Sequence, residues 1–418
     1  MKLRTGIWLL HGARKRGGVQ VVFPGSSRRF IPVFAFTLLA GGIGSAAAGN
    51  VDRHYTLLYA FQGGQDGAVP WGGLYAFGKT LYGTTPTGGA ASHGTLYSVN
   101  AATGAETVLY SFQGGADGAY PQNPPVRVYG TLYGTTNGGG SYGWGTIFSF
   151  KITTQAEQPL YSFSAGADGA SPAGALLNVG GTLYGADINP YNPGSGGAVF
   201  SFDTKTKSLN VLYDFQTSAG NQDAAYAQGA LIDVNGMLYG TSAAGGAYGN
   251  GTVYSVDPTS GAETIVYSFS GNGDGGTPFG ALRSVGGLLY GTTASGGANY
   301  QGAIYSLDPA TGVETAIYSF QSGTDGNAPQ AGVIANGSTL YGTTYRGGAF
   351  GGGTLFSLDL TTGVEKVLHS FGGSGDGIYP IGELILVGKK LYGTTQYGGG
   401  GGDCPLGGCG TVFSYTTP

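Results

Sequence analysis

Residues 280–320 read GALRSVGGLLYGTTASGGANYQGAIYSLDPATGVETAIYSF, and the fold follows from where that stretch breaks. Four runs rich in β-branched and aromatic residues, GALRSVG, LLYGTT, GAIYSLD and VETAIYSF, are each ended by glycine, asparagine or proline turn chemistry. No ten-residue window has helical spacing of apolar residues. The stretch therefore predicts four antiparallel strands joined by turns.

The same pattern recurs along the chain. The Tyr of LYG stands at 82, 133, 184, 239, 290, 341 and 392, spaced by 51 residues except for one interval of 55. An aspartate lies 16 residues upstream each time, at Asp66, Asp117, Asp168, Asp223, Asp274, Asp325 and Asp376. Four strands per unit of about 50 residues is the period of a propeller blade. The two ends complete the count. YTLLYAF (55–61) is a fourth strand with no blade before it, and residues 382–416 supply three strands and then stop. The expected fold is all-β: a seven-bladed β-propeller over residues 49–418, closed by the N-terminal strand completing the last blade. Closure in that way would hide both sheet edges.

The recurring LYGTTxxGGxxxxGTVYSxDxxTGxE, with YSF and DGxxP before the next unit, resembles the Gloeo_Verruco repeat of the GloVer tandem-repeat proteins. The resemblance covers essentially residues 51–418. It implies an exported bacterial protein and implies no catalytic residues.

Composition agrees with a packed β protein. Gly 86 and Pro 18 make up a quarter of the 418 residues, yet aromatic residues are 12% and charged residues 10%. Disordered chains lack such apolar anchors. At the N-terminus, Arg28 and Arg29 precede an apolar run from Phe30 to Gly44 and then AAAG, the layout of a secretory signal cleaved after Ala48. Seven of the 18 basic residues and none of the 22 acidic ones fall in residues 1–48, so 11 basic residues face 22 acidic ones in the mature chain, a net charge of −11. That balance argues against nucleic acid and anionic membrane surfaces as partners. After signal removal no membrane span is expected, and the chain reads as a secreted or cell-surface monomer. Cys404 and Cys409 lie in one glycine-rich loop and read as a local disulfide; zinc would want four ligands.

Sixteen of the 22 acids sit at repeated positions, and the remaining six (Asp52, Asp187, Asp214, Asp233, Glu383 and Asp403) are scattered among units. No metal, triad or phosphate-loop spacing occurs, so no cofactor is expected. The phased aspartates read as turn residues folding back on backbone amides, with calcium as the alternative. The LYG tyrosine reads as core between blades. The loops after the second strand vary most, and loops on a rigid scaffold carry function. They hold the candidate ligand-binding residues Tyr142, Trp144, Tyr191, Tyr248, Tyr300, Arg346, Phe350 and Tyr397, with Tyr345 alongside; the neighbouring DGxxP loops add Trp71, Tyr120, Phe279 and Tyr379. The function expected is non-catalytic binding of a glycan or protein partner through this face. A polysaccharide-active enzyme on a propeller scaffold, using polar residues near the axis (Asp233, Arg283 or Arg346), and a purely structural cell-surface component are the alternatives.

Overall fold

The structure is a computed structural model describing residues 53–189, 194–217 and 222–418. The proposed signal segment and Tyr191 lie outside the described residues. Seven four-stranded antiparallel sheets form the blades of a β-propeller. In blade five the strands are Arg283–Val285, Leu288–Thr293, Ala303–Leu307 and Glu314–Ser319, hydrogen-bonded in chain order. Blade seven combines Ile385–Val387, Lys390–Thr395 and Thr411–Thr416 with Tyr55–Ala60. There Tyr55 lies opposite Tyr415 and Ala60 opposite Thr411. Each outer pair carries a bulge at the same place, Ile304/Tyr305 in blade five and Leu57/Tyr59 in blade seven, and blade three has a second one at Ser195/Gly197. The composite sheet thus has the local geometry of a continuous blade. The inner strands are only three residues long, shorter than GALRSVG suggests, because the residues before them turn towards the axis.

LYGTT does four jobs, one per side chain. Its Leu is buried in every blade, from Leu81 to Leu391. Its Tyr packs on the following blade: Tyr82 joins Leu132, Phe148 and Phe150, and Tyr341 joins Leu391, Phe413 and Tyr415. Tyr82, Tyr290, Tyr341 and Tyr392 are buried, and Tyr133, Tyr184 and Tyr239 half-buried. Its Gly faces a third-strand aromatic ring across the sheet. A Cβ on Gly291 would sit 2.5 Å from the Tyr305 ring carbon that bears the hydroxyl. Its first Thr bonds to the next blade: Thr292 Oγ1 donates to the Ala331 carbonyl at 2.7 Å, and Thr394 to that of Gly72 at 2.8 Å.

The Phe of YSF completes the joint between blades. It is fully buried in all seven, and its ring meets the third-strand aromatic of the next blade at 4.9–5.4 Å between centroids. Six of the seven pairs, including Phe269–Tyr305, stand edge-on with interplanar angles of 60–73°, and Phe371–Phe413 is tilted at 60°. Such edge-on pairs add roughly 0.5–1.5 kcal/mol beyond area burial.

Candidate functional site at the propeller axis

The site begins with the DGxxP turn that carries the chain from the outer strand of one blade to the inner strand of the next. The residue two before the inward step is left-handed in every unit: Val69, Tyr120, Ser171, Tyr226, Thr277, Ala328 and Tyr379 have φ between 51° and 62°. Non-glycine residues adopt this conformation at a cost of order 1 kcal/mol. The backbone bonds offset it: Thr277 N–H donates to the Asn250 carbonyl at 2.7 Å and Tyr379 N–H to that of Gly352 at 2.7 Å. These bonds tie each connection to the loop of the preceding blade. Both kinds of loop therefore emerge on one face, as the antiparallel order requires.

The turn delivers three residues per blade to the axis. At the second of them glycine predominates because neighbouring backbones touch. A Cβ on Gly174 would lie 2.8 Å from the Gly229 carbonyl oxygen, and one on Gly382 2.6 Å from that of Gly72. The first position varies: Trp71, Gln122, Ala173, Gln228, Phe279, Gln330 and Ile381. The third is small or proline in six blades (Gly73, Pro124, Ala175, Ala230, Ala281 and Gly332) and is Glu383 in the seventh.

These residues enclose a cavity of about 520 Å³ that opens on the loop face. Amide side chains line it, from Gln122, Asn123, Asn137, Gln228, Gln330 and Gln396, together with the rings of Trp71, Phe279 and Tyr345. Tyr345 Oη lies 3.5 Å from Gln396 Oε1. Among the described residues Glu383 is the one charged side chain in the lining. Its Oε1 accepts a hydrogen bond from Ala281 N–H, two blades away, at 2.7 Å. Part of its surface faces the open cavity, but protein surrounds it, and desolvation raises its carboxyl while the Ala281 bond opposes the rise.

Trp71, Phe279 and Tyr345 of this lining were among the aromatic residues singled out in the sequence, whereas the loop residues named there as ligand-binding candidates lie elsewhere. Tyr142, Tyr248, Tyr300 and Phe350 are 64–69% exposed on blades two, four, five and six, and none of these four rings touches another. Trp144 is half-buried against the cluster of Val128, Phe163 and Phe200. Tyr397 is half-buried in a two-residue strand paired with Gly377–Ile378. Arg346 is exposed, its guanidinium 5.4 Å from the Tyr345 ring. Cys404 and Cys409 form a disulfide. Asp233 and Arg283 are exposed on their three-residue inner strands, and Asp233 Oδ1 accepts from Gly236 N–H in the hairpin turn at 2.8 Å. None of the described ligand-binding candidates, and neither Asp233 nor Arg283, lines the axial cavity. The cavity's anchors were visible as departures from the repeat at the three positions after DGxxP, a signal that variable loops alone do not carry.

The family model described as Gloeobacter/Verrucomicrobia repeat matches residues 47–229 and 226–418. The chain belongs to this repeat family. A search of curated protein sequences gives no match for this Gloeobacter/Verrucomicrobia repeat protein. Among solved structures, it is similar to an oligogalacturonate lyase in complex with manganese (13% identity, 87% of this chain and 93% of that one, TM-score 0.51). It is also similar to an oligogalacturonate lyase from Vibrio parahaemolyticus (11% identity, 87% and 93%, TM-score 0.52). A third is the extracellular domain of a putative hybrid two component system from B. thetaiotaomicron (12% identity, 85% and 39%, TM-score 0.56). At these identities the likeness is one of fold.

In the repeat protein the phased aspartates are structural acceptors. Asp274 accepts from Tyr267 Oη at 3.1 Å and from Ser270 N–H at 2.7 Å, and Asp325 from Tyr318 Oη at 2.7 Å and Gln321 N–H at 2.6 Å. Among the described residues no group of three or more His, Cys, Asp or Glu could hold a metal ion. Each of five such aspartates also neighbours a glutamate some 40 residues later, a pairing absent from the sequence reading. Desolvation first, and then the Asp charge, push Glu106 up to about 8, and Glu157, Glu263, Glu314 and Glu365 up to about 7. One oxygen of each glutamate is buried without a hydrogen-bond partner.

The folded state therefore holds protons that an unfolded chain releases near pH 4.5, the ordinary value for Glu. By linkage, stability is greatest below that value and falls as pH rises through 7 to 8. Solvent screening of these part-exposed groups leaves roughly 0.5 kcal/mol per pair. Tm is expected to be a few degrees higher at pH 5.5 than at pH 8.5, and Glu314→Gln should reduce the difference. A Tm that rises across that interval would contradict the pairing.

Proposed function

We propose that the protein is an exported, non-catalytic binding protein that takes a glycan in the axial cavity of its loop face. The observation that carries this reading is where the repeat breaks. Packing positions repeat from blade to blade, whereas the first axial position holds Trp71, Phe279, a glutamine in three blades, Ala173 or Ile381. Aromatic rings offer faces for the apolar side of a sugar ring, and carboxamides both donate to and accept from hydroxyls. The cavity size falls within the roughly 300–1,000 Å³ of small-ligand sites. Export is supported by the signal-like residues 26–50 and by the disulfide, which suits an oxidising compartment.

Binding to a panel of immobilised neutral and charged oligosaccharides tests the reading. Replacing both axial rings, Trp71→Ala with Phe279→Ala, is expected to weaken binding at least about tenfold, since buried aromatic anchors dominate affinity. The outer triple variant Tyr142→Ala, Tyr248→Ala, Tyr300→Ala should bind as wild type. The opposite pattern would move the site to the outer loops, and a wild type that retains no glycan would overturn the proposal.

A further inference from the structure

Glu383 breaks the repeat where no packing need explains it. The equivalent residues in the other blades are Gly, Ala or Pro, and three of them, Ala175, Ala230 and Ala281, show that a methyl group suffices. The carboxylate bonds through one oxygen to Ala281 N–H. Among the described residues no Lys, Arg or His lines the cavity with it. An ionised carboxylate held away from water without a counter-charge is costly, and protein groups here supply one hydrogen bond but no cation. Trp71, Phe279 and Tyr345 line the same cavity, and aromatic faces attract cations at short range.

We propose that the axial cavity selects a glycan bearing a protonated amine, with Glu383 as the specificity-determining residue that receives the ammonium group. This rests on the glycan reading above and adds its charge. The amine would take the place of the missing counter-ion, with neighbouring glutamine carbonyl oxygens accepting its remaining hydrogens. The ligand's cation favours the ionised carboxylate, so binding should release a proton wherever Glu383 is protonated in the empty cavity.

Calorimetric titration with β-1,4-linked glucosamine oligomers and with the matching N-acetylglucosamine oligomers at pH 6 tests this. Wild type is expected to bind the amine form at least about tenfold more tightly, the scale of one charge-assisted hydrogen bond. Glu383→Gln, which keeps an acceptor for Ala281 N–H, and Glu383→Ala, which restores the residue of other blades, should both bring the ratio close to one. A loss of Tm with an unchanged ratio would make Glu383 a pin between blades and overturn the inference. Equal binding of the two oligomers by wild type would also overturn it while leaving the glycan reading intact. Binding of neither oligomer overturns it as well, and the neutral glycans of the panel then decide the broader reading on their own.

Discussion

Deleting residues 53–61 is expected to give a protein that aggregates or fails to fold. These residues supply the fourth strand of blade seven, from Tyr55 to Ala60, paired along Thr411–Thr416. Without them, the edge of Thr411–Thr416 is bare, and Val412, Phe413 and Tyr415, all buried in the intact protein, lose their cover. Unpaired apolar edges template association with other chains. Phe61, fully buried with its ring 5.0 Å from that of Tyr97, is lost from the joint with blade one. Tyr55 is lost from the joint with blade six, where its ring stacks on His369 at 3.8 Å and its hydroxyl donates to Asp376. Each buried aromatic side chain contributes roughly 1.5–3 kcal/mol. Several of them together rival the 5–15 kcal/mol that typically holds a whole domain. Size-exclusion chromatography and thermal melting decide the matter. A monomer melting with wild type would show that the N-terminal strand does not close the ring.

Phe269→Ala is expected to cost about 3–5 kcal/mol, the range for a buried Phe replaced by Ala. Its ring fills the joint between blades four and five, packed on Val253, Leu282, Leu289 and Tyr305. The joint is backbone-limited on the far side, where Gly291 already makes room for Tyr305, so little collapse can fill the void. Tyr305→Phe at the same joint provides the contrast. The Tyr305 hydroxyl is fully buried without a hydrogen-bond partner, and burial pushes its ionisation far upward. Blades two, three, six and seven carry Phe at this position. Removing an unsatisfied buried hydroxyl should be neutral or stabilise by about 1 kcal/mol. Urea unfolding of both variants gives the two values. A Phe269→Ala loss below about 1 kcal/mol would mean that the stacked rings do not hold the blades together.

The architecture was legible because it is written seven times. LYG and the aspartate 16 residues before it keep a common phase, and that period with four strand-like runs leads to four-stranded blades. What the motif does inside a blade was only partly legible. Strand alternation places Leu and Tyr on opposite faces, but that Gly faces Tyr305 and Thr292 bonds to Ala331 depends on register and on the next blade. The glutamates beside the phased aspartates stayed hidden because each pair spans two blades and reads, in sequence, as two separate turn residues. Blade three shows the same limit. Asp187 takes the place of the second Thr of LYGTT and is fully buried, its carboxyl raised by desolvation with one oxygen unpartnered. In sequence it is one scattered acid among six. The axial cavity was only partly legible for a related reason: Trp71, Phe279 and Tyr345 stood among the aromatic residues singled out, but not as parts of one cavity with Glu383. Aromatic loop residues advertise themselves locally, whereas the axial cavity is assembled from one short step per blade, and its carboxylate meets a partner 102 residues away.

The central claim is that ligand enters the axial cavity. Hydrogen–deuterium exchange, with and without the tightest-binding oligosaccharide of the panel, tests it most directly. The account predicts slowed exchange in the inward steps at 71–74, 122–125, 279–282 and 381–384, and unchanged exchange in the loops at 141–145 and 247–250. Protection confined to those outer loops, with the inward steps unaffected, would contradict it.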